Sequence, residues 1–156
     1  MIKVSRMADY AILLVCKMSR DANKVYSAHD LSINTSLKIT TISKILTKLT
    51  KANITSSIRG VSGGYKLVVQ SKDISVGNII DIIDGKVALT VCVEEGDHNN
   101  CDLVSMCPSH SNWQIINNKI QEALNSVSIE EMANPFITNF KYNKSNKGSD
   151  FNNIME

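Results

Sequence analysis

Three cysteines fall within sixteen residues. Cys92, Cys101 and Cys107 are spaced C-x8-C-x5-C, and His110 follows three residues later. Thiolates and imidazoles are the side-chain donors that hold transition metals, so this set can bind an iron–sulfur cluster or a zinc ion. Structural zinc sites are built on C-x2–4-C knuckles, and none occurs in the chain. The wide spacing suits a bulkier cluster. Cysteine is scarce and mostly buried, so three in one polar stretch need a reason. Cys16 differs: it sits within a helical pattern and reads as a core residue. A thiol-protease dyad of Cys107 and His110 lacks an orienting third residue and an oxyanion loop, and it leaves Cys92 and Cys101 unexplained. A thiol oxidoreductase lacks its C-x-x-C motif. The sequence predicts a protein that is not an enzyme.

A second constellation is electrostatic. The net charge is only +2, yet no Asp or Glu occurs between Leu31 and Lys72. That stretch holds Lys38, Lys44, Lys48, Lys51, Arg59, Lys66 and Lys72. One-sided charge inside a near-neutral protein predicts an anion-binding face.

The elements that position these residues follow from periodicity. With 156 residues and 43% hydrophobic content, the chain can build one compact core. Met7, Tyr10, Ala11, Leu14, Val15 and Met18 have helical spacing, which predicts a helix over 6–20. Ser27 can cap a short helix over 28–33. Asn34 to Ser36 read as a turn, and a helix over 37–52 follows, with the stripe Ile42, Ile45, Leu46 and Leu49. Its other faces carry Thr40, Thr41, Ser43, Lys44 and Lys48. Two short β-branched runs, 54–58 and 65–69, flank Arg59 and Gly60 to Gly64 and predict a hairpin. Ser75 opens a helix carrying Val76, Ile79, Ile80 and Ile83, which Gly85 ends. Residues 88–110 fit no period. A helix over 111–126 aligns Trp113, Ile116, Ile120, Ala123, Leu124 and Val127, and Ser128 to Glu131 form a capping box for a last short helix.

Helix, short helix, turn, helix, hairpin is the order of a winged helix-turn-helix. The predicted fold is mainly α with a small β-hairpin, a winged helix-turn-helix followed by a long helix. Short polar side chains on the third helix allow approach to base edges, while lysines such as Lys44 and Lys48 neutralise phosphates. Arg59 on a slim tip suits a narrow minor groove. Three regions are expected: 1–72 for DNA, 73–134 for the cysteine loop and long helix, and 135–156 as a mostly disordered tail. No apolar run reaches the roughly 18 residues that span a bilayer. The first ten residues have no unbroken apolar core and no small-residue cleavage site, so no signal peptide is predicted and the cytoplasm is expected.

Several motifs point further. They are Asp9-Tyr10-Ala11, the wing Ser57 to Gly60 with Gly63-Gly64-Tyr65, and Ile74 to Val76 leading into Ile79 to Asp81. The three-cysteine loop and Asn112-Trp113-Gln114 with Ile116-Asn117 complete the set. Over about residues 1–134 the chain resembles the Rrf2 family of bacterial transcription regulators, specifically its IscR-like and NsrR-like iron–sulfur sensors. Ala88 to Thr90 and Leu124 to Met132 look most like the branch that regulates the SUF cluster-assembly operon.

The resemblance implies a homodimer joined through the helix at 111–126, a double-stranded DNA operator, and repression of iron–sulfur assembly genes. Thr40, Thr41, Ser43 and Lys44 match the family's base-reading helix, and Arg59 its minor-groove residue. Cys92, Cys101 and Cys107 match its cluster ligands, with 2Fe–2S favoured and 4Fe–4S as the alternative. The eight residues between Cys92 and Cys101 exceed the family's common gap. The fourth ligand is His110, where IscR-like members carry a histidine, or Asp9, whose carboxylate would reach the cluster of the partner subunit as in NsrR-like members. A zinc-filled or metal-free loop on the same DNA-binding protein is the alternative.

Overall fold

Ser5 begins the first helix by accepting a hydrogen bond from the Ala8 N–H at 3.1 Å. That cap satisfies one of the orphan donors of a helix start. The computed structural model describes residues 3–94, 101 and 105–134. The expected tail at 135–156 and loop residues 95–100 and 102–104 lie outside the described residues. Helix α1 spans Arg6–Ser19 and buries Ala8, Ala11, Ile12, Leu14, Val15 and Met18.

Helix α2 spans Ala28–Thr35, opened by a reciprocal box of Ser27 and Asp30. It runs two residues past its expected end. Asn34 Nδ2 donates to the Asp30 carbonyl and Thr35 Oγ1 to the Leu31 carbonyl, both at 2.7 Å. These bonds hold Asn34 and Thr35 in the last turn, and only Ser36, at φ 59°, reverses the chain. Helix α3 therefore starts late, at Ile39–Lys51. The Leu37 carbonyl is taken by Ser32 Oγ at 2.6 Å, which keeps Leu37 in the turn.

Strands β1 (Thr55–Ile58) and β2 (Gly64–Leu67) pair antiparallel, with Thr55 opposite Leu67 and Ile58 opposite Gly64. Tyr26 adds a bridge on the outer side of β2: Tyr26 and Tyr65 exchange backbone hydrogen bonds of 2.8 and 2.9 Å. This contact requires Gly64, since any Cβ there would press on the Tyr26 backbone. Helix α4 spans Val76–Asp84, is capped by Ser75 and ends at Gly85 with φ 92°. A 3-10 turn precedes α4 at Ser71–Asp73, and another covers Val91–Val93 after it. Helix α5 is His110–Asn125, and α6 is Ile129–Ala133, with the expected box of Ser128 and Glu131.

The core lies where α1, α3, α4 and α6 meet. Leu14, Met18, Leu31, Ile45, Leu46, Leu49, Ile79 and Ile129 are fully buried. Each such aliphatic side chain contributes about 1.5–3 kcal/mol over an exposed one. Helix α6 returns to this core through Ile129, whose N–H donates to the Ile74 carbonyl at 2.8 Å.

Candidate nucleic-acid interface and cysteine segment

Helix α3 divides its faces sharply. Ile42, Ile45, Leu46 and Leu49 are buried against the core, which turns the polar positions away from it. Thr40, Lys44, Thr47, Lys48 and Lys51 are exposed, while Thr41 and Ser43 are half-buried. Thr47 spends its hydroxyl proton on the Ser43 carbonyl at 2.7 Å. No side chain caps the start of α3, and no acid occupies its first turn. The positive end of the helix macrodipole is left for an outside anion. Lys48 has a partner of its own: its ammonium donates to the Ile83 carbonyl in the last turn of α4.

The hairpin that follows α3 carries Arg59 into solvent. Arg59 is exposed and directly follows β1. Gly60, at φ 121°, adopts a backbone conformation that L side chains rarely reach, and the turn closes with Gly63 N–H donating to the Gly60 carbonyl at 3.0 Å. Sequence reasoning passed over two neighbours. Val61 stands fully exposed at the tip, and Ile39 is exposed at the first position of α3. Both interrupt polar surroundings, and that is the signal that could have singled them out.

The cysteine segment begins at α4 and ends at α5. Its first anchor is the Leu89 N–H, which donates to Asn117 Oδ1 at 3.1 Å. Cys92 lies in the 3-10 turn with its Sγ 3.2 Å from Thr90 Oγ1. Cys101 and Cys107 are likewise half-buried, and all four cysteines are free thiols. His110 is the first residue of α5, and its backbone N–H points to the Cys107 carbonyl at 3.4 Å. Cys107 thus sits immediately before the first turn of α5. The donor types fit an iron–sulfur cluster. Yet among the described residues no three His, Cys, Asp or Glu side chains are gathered as an ion would require. Asp9 is exposed in the first turn of α1. Cys16 stands apart: its Sγ approaches the Ile129 carbonyl at 3.9 Å, and burial pushes its thiol pKa up, with Arg20 opposing weakly.

Helix α5 has two faces of opposite character. Asn117, Gln121 and Asn125 face α4 and its flanks, accepting from Leu89 and Ser75 and donating to Asp81. Leu124 packs against the core, while Trp113, Ile115 and Ile116 are left outside. Trp113 is 38% exposed and Ile116 43%, and no residue of α5 is fully buried.

A helix-turn-helix whose second helix turns an acid-free face outward, followed by a glycine-held arginine wing, defines a winged-helix DNA-binding transcription regulator. Comparisons with known proteins agree. The Rrf2 family model, described as an iron-dependent transcriptional regulator, matches residues 4–135. The HTH-type transcriptional regulator IscR of Vibrio cholerae is 31% identical over 103 residues, which are 66% of this chain and 58% of that protein's length. Among solved structures, the global cysteine regulator CymR of B. subtilis superposes with a TM-score of 0.66 at 22% identity, covering 85% of this chain and 97% of that one. IscR of T. potens gives 0.64 at 23% identity, covering 84% and 85%. The chain belongs to the Rrf2 family of DNA-binding transcriptional regulators and is IscR-like. These relatives are regulators, which are not enzymes. Among the described residues, no helix is long and apolar enough to cross a membrane.

Proposed function

We propose that this regulator acts in the cytoplasm as a homodimer that represses iron–sulfur assembly genes and senses iron–sulfur status through a cluster on Cys92, Cys101, Cys107 and one further ligand. The observation that carries the reading is the set of three free, half-buried cysteines between α4 and α5, attached to α5 at both ends. His110 is the first choice as fourth ligand, and Asp9 of the partner subunit is the rival. An iron–sulfur cluster supplies a redox-labile crosslink among its ligands, one that is lost when iron or sulfide is scarce. The chain's residues do the rest. The cysteines hold the segment after α4 against the start of α5. Thr40, Thr41 and Ser43 meet base edges, Lys44 and Lys48 meet phosphates, and Arg59 enters the minor groove. The exposed stripe of Trp113 and Ile116 is the dimer seam. Two-fold symmetry then sets the reading helices in successive major grooves, about 34–36 Å apart, on a dyad operator.

Anaerobic purification with a visible spectrum and an iron and sulfide count tests the reading, followed by titration of holo and apo protein against DNA selected from a random pool. Visible absorption with matched iron and sulfide, and a difference in DNA affinity between the two forms, is expected. A colourless protein holding zinc or no metal, with one affinity in both forms, overturns it.

A further inference from the structure

The wing carries few side chains at its tip. Between Arg59 and Tyr65 only Val61 and Ser62 have one, and the other three residues are glycines. The turn closes on the bond from Gly63 N–H to the Gly60 carbonyl, and a Cβ at Gly63 would press on the backbone of Ile58 and Gly60. A slim tip results, and Val61 stands fully exposed on it. Turns in water favour Gly, Pro, Asn, Asp and Ser, which supply the backbone geometry or bond to it. Valine does neither, and at full exposure its isopropyl group gains no burial within its own chain. A lone exposed apolar residue is ordinary on a protein surface. Val61 is set apart by the exposed Arg59 two residues earlier and by the acid-free stretch that holds both. The glycine-built tip thus pairs a cation with an apolar wedge, the two side-chain types that minor-groove proteins use.

We propose that Val61 is a specificity-determining residue that excludes guanine from the minor groove under the wing, an assignment that rests on the minor-groove reading of Arg59 and deepens it. Adenine and thymine show only acceptors in that groove, N3 and O2, whereas guanine adds its 2-amino group. The groove is about 6 Å wide, so a branched side chain at its floor lies against whatever the base edge presents. At an A·T pair the isopropyl group meets the adenine C2–H and sugar carbons, and it buries apolar surface. At a G·C pair it meets an N–H donor. Having no acceptor, it leaves that donor dehydrated and unpaired. Val61 therefore rejects G·C in either orientation, yet does not tell A·T from T·A. Arg59 favours the same steps by a different route, the negative potential of a narrow groove. The charge reads groove width, and the valine reads the amine.

DNA selected by the full chain from a random pool supplies the operator. Each adenine in it is then replaced in turn by 2,6-diaminopurine, which adds guanine's 2-amino group and leaves the major-groove edge unchanged. At one or more positions the parent protein should lose roughly tenfold in affinity, the scale of one mismatched base pair. Val61→Ala should lose less than about twofold there, and its salt slope on the unmodified operator should equal the parent's, since no charge is removed. In the converse arm, a G·C pair placed at the same position should weaken the parent as much, and inosine in place of that guanine should restore binding. Val61 is fully exposed, so Val61→Ala should melt with the parent. Failure of Arg59→Ala to weaken operator binding overturns the minor-groove reading, and this assignment with it. With that reading intact, a parent indifferent to diaminopurine at every position, or a Val61→Ala protein that keeps the parent's full discrimination, overturns the role of Val61 alone.

Discussion

Gly64→Ala tests how the wing is attached to the reading head. A Cβ at Gly64 would stand 2.8 Å from the Tyr26 carbonyl carbon and 3.0 Å from Ser27 N, and closer still to the Tyr26 oxygen. All three atoms are backbone, so no side-chain rotation relieves the clash. Ordinary carbon contacts are about 3.5–4.0 Å, so the two segments must part by at least about half an ångström. Doing so stretches both bonds of the Tyr26–Tyr65 bridge, now 2.8 and 2.9 Å, toward the limit of useful geometry. Two net hydrogen bonds are worth about 1–3 kcal/mol, and residual overpacking costs about 1–3 kcal/mol. These are alternatives as much as summands, since parting the strands relieves the clash. Gly→Ala also stiffens the unfolded chain, which returns about 0.4–1 kcal/mol. The expected net loss is about 2–3 kcal/mol in urea unfolding, accompanied by weaker operator binding because β2 and the wing move relative to α3. Gly60→Ala is the comparison. There a Cβ meets nothing within 4 Å, and only the φ of 121° resists it, so a cost of about 1–2 kcal/mol is expected. A loss below about 0.5 kcal/mol for Gly64→Ala would refute the close approach on which this attachment rests.

Arg59→Ala is expected to weaken operator binding by about 1–3 kcal/mol while leaving binding to scrambled DNA nearly unchanged, whereas Lys44→Ala should weaken both and lower the salt slope by about one; titrations at several salt concentrations separate the two. Serine at Cys92, Cys101 or Cys107 should abolish iron loading and serine at Cys16 should not, as read by iron content, since only Cys16 is placed in the core region against Ile129. His110→Ala and Asp9→Ala should be compared by anaerobic spectrum: loss in the first alone fits a ligand set within one chain, loss in the second alone a cluster bridging two subunits. Asp30→Asn should flatten stability against pH in acid. The Ser27 hydroxyl and N–H hold the Asp30 carboxyl below its ordinary pKa, so that contribution is complete above the ordinary carboxylate value and fades as pH falls through the lowered one; urea midpoints across the acid range read it.

Legibility in the sequence followed the range of the interactions. Helices α1, α4 and α6 were readable because their apolar spacing, and for α4 and α6 their Ser caps, are local. The boundary between α2 and α3 moved because Asn34 and Thr35 can either turn the chain or bond back four residues, and only the packed form selects the second. The acid-free face of α3 was visible in composition alone. The partner of Lys48 was not, since Ile83 lies 35 residues away and a backbone carbonyl leaves no trace in the sequence. The cysteine donors were legible by type, whereas their gathering depends on three-dimensional arrangement that spacing does not encode. The least legible feature was the orientation of α5. Asn117, Gln121 and Asn125 make its intrachain hydrogen bonds to Leu89, Asp81 and Ser75, partners 28 to 50 residues away that leave no trace in local spacing.

That orientation bears on how a signal at the cysteines would reach DNA. Isolated carboxamide contacts stabilise modestly, about 0.5–1.5 kcal/mol each, and Leu124 near the end of α5 packs against the core, so the start of the helix is held less firmly on its own chain than its end. Its exposed Trp113 and Ile116 gain burial only against another surface, which in the proposed dimer is the same helix of the partner. The geometry of the seam then sets where each α5 stands. From α5 the route inward is short. Gln121 bonds Asp81 on α4, and the last turn of α4 receives the ammonium of Lys48 on the reading helix. The cysteine segment is tied to the same α5 through Leu89 to Asn117 and through Cys107 to His110. A change that draws those two anchors together, or lets them part, acts on the helix that sets the dimer and on the element that touches α3. Coupling by this route requires α4 to move as a rigid body. Its cap at Ser75, its stop at Gly85 and its buried Ile79, Ile80 and Ile83 favour that over local bending, since packed interiors transmit displacement rather than absorb it.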